Sequence, residues 1–403
     1  MNILHINQNL SVAGGGVAQM IRDYSPALES RGVSVYALTG EDIKTVPQGI
    51  KEHFYCPAVN MCRDKKGSWK KTLSDIIEES DIDIVHIHEV RNFEIIEYVV
   101  GRLPVAIHMH NYGWWCPGTE LYYGKTEEIC PLSTGWKCIP NAYLKQCNNR
   151  HPKHLFPSVR NAYRKRKIWS KNVGFITSSE YMRDRGGRAG IPPEKIFVVP
   201  YAVEENRFRQ NDLKAVESLQ PGFLLYVGRL ACSKGVHYLL RAIAMIGKNY
   251  THTVIAGGGL NQSSLEEYAR SLNLRDSVTF LGWREGDELS WLYKNCSMLV
   301  VPSIWDEVFG IIGLEAMASS KPVVAFDVGG ISQWLRDGET GYLVGRKDVE
   351  GLANKIRYLL DNSDERKLLG KNGKARFHEE YTTAKQTGNL IDVYKNIIKL
   401  RDN

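Results

Sequence analysis

The sequence predicts an α/β protein of two doubly wound, Rossmann-like domains facing across a cleft. Three observations carry this. The chain has 403 residues, more than one core usually organises. Short β-type runs alternate with helical stretches, the order that builds right-handed βαβ units and a parallel sheet. The alternation stops at a polar, Pro-containing stretch ending in QNDLKAVESLQPG and then begins again.

In the first half NILHINQ reads as a short apolar strand. A helix follows, with Val17, Met20, Ile21, Tyr24, Ala27 and Leu28 at helical spacing. VSVYALT, DIVHIH, PVAIHMH and VGFITSS continue the strands. In the second half FLLYVGR, HTVIAGGG, VTFLG, SMLVVPS and PVVAF do the same. The predicted boundaries are an N-terminal domain over 1–200 with a Cys- and Trp-rich insert at 112–150, a linker over 201–222, a C-terminal domain over 223–380, and a last helix over 381–403. That helix carries Leu390, Val393, Ile397 and Leu400 on one side and can pack on either domain, crossing back to the first in one arrangement.

Composition narrows the class. The chain is 43% hydrophobic and 24% charged, as in soluble globular proteins, with no heptad run and no low-complexity tract. Nothing approaches the ~18 apolar residues of a spanning helix. The start, MNILHINQNL, lacks the basic and apolar regions of a signal peptide, so a cytoplasmic location is expected. The net charge of +7 is uneven: Arg150 to Arg188 holds eleven Lys or Arg and two acids, and RDKKGSWKK adds a second cluster at 63–71. One reading is a solvated helix face. The other is docking on an anionic membrane surface or a phosphate-bearing acceptor, since cations near Trp and Tyr suit lipid headgroups. No nucleic-acid motif accompanies the charge. Cys56, Cys62, Cys232 and Cys296 are scattered, whereas Cys116, Cys130, Cys138 and Cys147 share the insert. Their spacings are wider than the close pairs of zinc sites, so metal, disulfides and free thiols all stay open.

Three stretches carry chemistry. Gly14, Gly15 and Gly16 lie between a strand and a helix, where backbone N–H groups can approach a phosphate, although a plain flexible turn reads equally well. In YVGRLACSKGV, Arg229 and Lys234 follow a strand directly; fixed cations there suit a diphosphate, against exposed surface cations as the plain alternative. In DEVFGIIGLEAMA, Gly310 marks a helix start, Glu307 precedes it and Glu315 lies inside it. The amides of Phe309, Gly310, Ile311 and Ile312 are then the unpaired donors of a helix end, ready for phosphate. Glu315 can accept from ribose hydroxyls and Glu307 from a second sugar. The plain alternative is a capping carboxylate and a solvent-facing helix Glu.

E-x₇-E after a V-P-S strand, with VGRL…SKG before it and KPVVAFDVGG after it, resembles family 4 of the retaining glycosyltransferases, of the GT-B fold. The resemblance covers nearly the whole chain. It implies a metal-independent hexosyltransferase without a cofactor, moving a sugar from a UDP- or GDP-sugar to a glycan or lipid-linked hydroxyl in surface-polysaccharide or lipid-linked glycan synthesis, with the first domain binding acceptor and the second donor. Arg229 and Lys234 would neutralise the departing diphosphate, Glu307 would contact the transferred sugar, and Glu315 would hold the ribose. Leu281 and Gly282 would meet the base, and the Gly14–Gly16 loop would close over the diphosphate. AIHMHNYGWWCP resembles the family's strand-end pattern and puts His110 at its active-site histidine, whose near-neutral pKa permits proton traffic. Asn111 stands where Asp is common and is given no base duty. His86, His88 and His108 read as strand or loop histidines. Relatives usually show Asn-Gly at Tyr201-Ala202. Rival readings are a GT-B epimerase or phosphorylase, and a non-catalytic sugar-nucleotide or membrane-surface binding module.

Overall fold

The computed structural model describes all residues except 12–14, 63–66, 206–215, 217, 248–249 and 403. The chain divides into two compact units: 1–121, 130–202 and 383–403 in the first, and 122–129 with 203–382 in the second.

The first unit is built on a seven-stranded parallel sheet. Its strands are β1 (Asn2–Asn7), β2 (Ser34–Thr39), β3 (Ile50–Tyr55), β4 (Ile84–Ile87), β5 (Val105–His108), β8 (Val173–Thr177) and β9 (Ile196–Val198), in the order β3-β2-β1-β4-β5-β8-β9. The intervening β6 (Tyr122–Tyr123) and β7 (Glu128–Ile129) form an antiparallel hairpin that groups with the second unit. β4 and β5 are buried along their whole length, as continuous apolar runs in a doubly covered parallel sheet should be. β3 and β9 are absent from the sequence reading for the opposite reason: they are edge strands, and IKEHFY is mostly polar and partly exposed.

The last helix, Thr383–Asp402, belongs to the first unit. Leu390, Tyr394 and Ile397 are buried in that core with Met20, Ile21 and Tyr24 of the helix Gly15–Glu29. Gly174 of β8 makes room for it, since a Cβ there would meet Ile397 Cγ1 at 2.3 Å. Burying a side chain of this size stabilises by roughly 1.5–3 kcal/mol, so three such residues anchor the chain end firmly.

The second unit has a six-stranded parallel sheet of β10 (Leu224–Val227), β11 (Thr253–Ala256), β12 (Val278–Gly282), β13 (Met298–Val301), β14 (Val323–Phe326) and β15 (Gly341–Val344), ordered β12-β11-β10-β13-β14-β15. The reversal of direction lies at β10 and β13, where doubly wound sheets bind ligands beyond the carboxyl ends of their strands. Glu127 in the turn of the hairpin β6–β7 accepts a hydrogen bond from the Tyr238 hydroxyl (2.8 Å) and pairs with Lys347 (3.2 Å), which fixes the hairpin within this unit. No described helix is long and apolar enough to cross a membrane.

Candidate active site

Two groups of expected site residues assemble, each within one unit. In the second unit β10 ends at Val227 and leads through Arg229 to a short 3₁₀ turn, Cys232–Lys234. The turn is locked from behind: Ser233 O accepts from the amides of Ile304 (3.0 Å) and Trp305 (3.1 Å), just past β13. Gly235 is left-handed at φ +67°, and a Cβ there would sit 1.8 Å from Pro302 O, so only glycine lets the two strand ends close. This presents Lys234 to Glu307, whose Oε1 accepts from Nζ at 2.6 Å. The lysine also lies over the Trp305 ring, 4.8 Å from its centroid. Glu307 is 7% exposed. Such a pair holds together only because each charge supplies the other's partner after desolvation. Arg229 is exposed, and both it and Glu307 act electrostatically on the buried Tyr226 hydroxyl, whose own ionisation burial pushes far up.

The helix Ile311–Ala318 starts where expected, with Gly310 left-handed at φ +90° as its first flanking residue. Gly310, Ile311 and Ile312 are half-buried. Phe309 is a core residue, its carbonyl accepting from Trp334 Nε1 at 2.6 Å. Gly313 has a different reason from ligand approach: a Cβ there would lie 2.2 Å from the Trp334 ring, so the residue is small because an indole packs on the helix. Glu315 does not face solvent. It is 7% exposed, and its Oε2 accepts from the Tyr293 hydroxyl at 2.7 Å. Leu281 and Gly282 end β12 half-buried, with Gly282 at φ +72°, and Trp283 beside them is 57% exposed. Tyr226, Tyr293, Trp305 and Trp334 were not legible as site residues; buried aromatics at strand and helix ends give no motif.

In the first unit His110 follows β5. Its Nε2 lies 3.0 Å from His88 Nδ1, and its Nδ1 lies 2.7 Å from the Tyr201 hydroxyl. His88 in turn meets His5, Nε2 to Nδ1, at 2.8 Å. Desolvation pushes His110 down to about 3, so the expected near-neutral titration is corrected: the imidazole is uncharged at neutral pH and both nitrogens are hydrogen-bonded. His88, His108 and His110 line a cavity of about 190 Å³ with Gln8, Asn111 and Lys165. Lys165 donates to Gly113 O at 2.6 Å, and burial lowers it to about 8. Asn111 caps the following turn through Gly113 N (2.8 Å). Gly15 and Gly16 are exposed at the start of their helix; Gly14 lies outside the described residues.

The insert's Cys116, Cys130, Cys138 and Cys147 are free thiols, and burial raises Cys116 to about 11 and Cys147 to about 12. Part of the basic segment turns inward. Besides Lys165, Arg166 donates to Ser133 Oγ (3.1 Å) and Arg185 to Cys130 O (3.1 Å), while Arg164 pairs with Glu97 (2.5 Å) at the surface.

Two family models match this chain, Glycosyltransferase Family 4 over residues 14–207 and Glycosyl transferases group 1 over 208–376. An uncharacterized glycosyltransferase of Methanocaldococcus jannaschii is 36% identical over 173 residues, 43% of this chain and 44% of that protein. The alpha-D-kanosaminyltransferase of Streptomyces kanamyceticus is 29% identical over 269 residues, covering 63% and 68%. The chain spans about half the length of several of the curated relatives it matches. Anabaena HepE, solved in complex with UDP-glucose, shares the fold with a TM-score of 0.70 at 17% identity over 98% of this chain and 100% of that one. The chain belongs to glycosyltransferase family 4, and its two parallel-sheet units are those of the GT-B fold.

Proposed function

We propose that this protein transfers a hexose from a nucleoside-diphosphate sugar to a hydroxyl acceptor, with retention of anomeric configuration and no metal at the donor phosphates. The observation that carries the reading is the Lys234–Glu307 pair beside the glycine-led helix start at Gly310. A departing diphosphate gathers negative charge. Lys234, the exposed Arg229 and the helix-end amides supply fixed positive charge or dipole where it develops. Glu307 Oε1 is engaged by Lys234, which leaves Oε2 for a hydroxyl of the transferred sugar. A carboxylate held in that way is a poor nucleophile. The reading is therefore front-face attack, in which the acceptor oxygen bonds to the anomeric carbon as the bond to the diphosphate breaks. The acceptor proton passes to a phosphate oxygen.

Glu315, fixed by Tyr293, is suited to a ribose diol, and Leu281, Gly282 and Trp283 to the base. Uridine is the first base to test, because HepE was solved with UDP-glucose. The first unit would take the acceptor in the cavity beside His110. There the neutral imidazole, with both nitrogens engaged by His88 and Tyr201, shapes the cavity wall and is not a base. Surface-polysaccharide or lipid-linked glycan assembly fits exposed Trp136, Leu144 and Phe156 near the basic helix Pro152–Trp169, a surface suited to an anionic bilayer.

The test is a thermal-shift panel of UDP- and GDP-sugars followed by transfer to lipid and glycan extracts. A ligand that binds only the folded chain raises its melting temperature. A shift with one donor family and label in an acceptor supports the reading. Binding without turnover would leave a sugar-nucleotide binder. No shift with any donor would overturn the site. Vesicle flotation tests the membrane surface, where salt-sensitive binding to anionic but not neutral vesicles is expected.

A further inference from the structure

Four histidines besides His110 lie on or just past adjacent strands of the first sheet. His5 of β1 and His86 of β4 are register partners, and His88, His108 and His110 continue from the ends of β4 and β5. His5, His86, His88 and His108 are each at most 5% exposed. Four of their ring nitrogens find no hydrogen-bond partner: His5 Nε2, His86 Nε2, and both nitrogens of His108. Buried imidazole nitrogens ordinarily have partners, and His86 Nε2 is the unpartnered one that an ion between His5, His86 and His88 would meet.

Two sets of three bring ring nitrogens within 4.8 Å of one another, His5–His86–His88 and His88–His108–His110. Ring orientation decides between them. An imidazole binds a metal in its own plane, along the nitrogen lone pair. His108 and His110 are stacked face to face, 4.1 Å between centroids and 9° between planes, so they cannot aim at one ion. His86 is tilted 41° to His5 and 36° to His88, so its lone pair can converge with theirs, whereas His5 and His88 lie 20° apart with their facing nitrogens 2.8 Å from each other and must turn to share an ion. The outer partners fit the same set. Tyr394 hydroxyl holds His86 Nδ1 at 2.6 Å and His110 holds His88 Nδ1 at 3.0 Å, which leaves His86 Nε2 unpartnered and His88 Nε2 facing His5 Nδ1. This is how metal-bound histidines are normally oriented from behind.

We propose that His5, His86 and His88 form a buried three-imidazole site for a zinc-like divalent cation. Imidazole ligation without thiolate or carboxylate suits Zn²⁺, Co²⁺, Ni²⁺ or Cu²⁺ and excludes Ca²⁺ and Mg²⁺. His5 Nδ1 and His88 Nε2, now 2.8 Å apart, need to open to about 3.3 Å, the span of two nitrogens bound tetrahedrally to zinc. With Nε2 ligated, His88 must carry its hydrogen on Nδ1 and donate to His110, so the ion fixes the tautomer of the ring at the cavity. The site is independent of the transferase reading and takes no part in donor chemistry.

The experiment uses the full chain stripped with a chelator, then loaded with ZnCl₂ or CoCl₂ and desalted. One equivalent of Zn²⁺ is expected to remain, with X-ray absorption showing three imidazole nitrogens at about 2.0–2.1 Å and Co²⁺ giving the visible spectrum of a four-coordinate site. His86→Phe should lose at least 100-fold in affinity, and Tyr394→Phe about 10-fold through its outer-shell contact. The double variant His151→Ala, His154→Ala, at an exposed histidine pair, should bind as the parent does. No retained metal, sulfur ligands in the absorption spectrum, or loss of binding in the exposed-pair variant would each overturn the site. If His86→Phe fails to fold, the ligand count on the unaltered protein decides alone.

Discussion

Both units place candidate site residues just beyond the ends of parallel strands, yet they treat charge in opposite ways. Past β10 and β13 a lysine and a glutamate are paired, Nζ to Oε1 at 2.6 Å. Past β4 and β5 the groups are imidazoles, packed against one another and held neutral by desolvation. The first arrangement offers a cation with further N–H donors to spare, so on the proposed reading Lys234 can donate to a diphosphate while it still holds Glu307. The second suits hydroxyls or a metal, because an uncharged ring offers one donor and one lone pair. The contrast teaches that sequence position in a doubly wound sheet marks where a site lies, while burial and pairing decide its chemistry.

Acid should separate the two regions most strongly. Each buried histidine has a folded pKa below its unfolded value near 6.5, so the unfolded chain takes up protons first. The stability these rings confer is fully present above about pH 6.5. As pH falls toward the folded value of about 3, His5 and His110 each cost about 1.4 kcal/mol per pH unit. Urea midpoints from pH 7.5 to 4.5 should fall steeply, and His108→Phe should flatten the curve. An unchanged midpoint down to pH 5 would contradict the neutral array.

Next in size is the ion pair. Lys234→Ala and Glu307→Ala should each lower turnover about 10²- to 10³-fold. Each single change also strands a buried charge at a cost of about 3 kcal/mol, and the double variant should recover part of that stability. Equal turnover in variant and parent would remove both residues from the mechanism. Gly313→Ala should cost about 2 kcal/mol by driving a methyl group into Trp334, read as a lower melting temperature with or without donor. Tyr293→Phe should be mildest, about 1 kcal/mol, with a raised donor KM and little change in kcat, because Glu315 loses one hydrogen bond.

The buried strands were readable because a parallel sheet covered on both faces demands apolar runs, as in SMLVVPS and PVAIHMH. Edge strands such as Ile50–Tyr55 were not, since half-exposed backbone puts no such demand on its side chains. Arg229, Lys234, Glu307 and Gly310 stood out as candidates because they cluster at strand ends with glycines between. Gly313 carried no such signal: its reason, Trp334, lies 21 residues later in the chain and follows no local rule. The histidine array was invisible for the same reason. His5 and His86 become neighbours only through the pairing of β1 with β4.

The most direct measurement is calorimetric titration of UDP and GDP into the parent chain, Lys234→Met and His110→Ala. A diphosphate is expected to bind the parent, to bind Lys234→Met at least tenfold more weakly, and to bind His110→Ala unchanged. Loss of binding in His110→Ala with full affinity in Lys234→Met would contradict it.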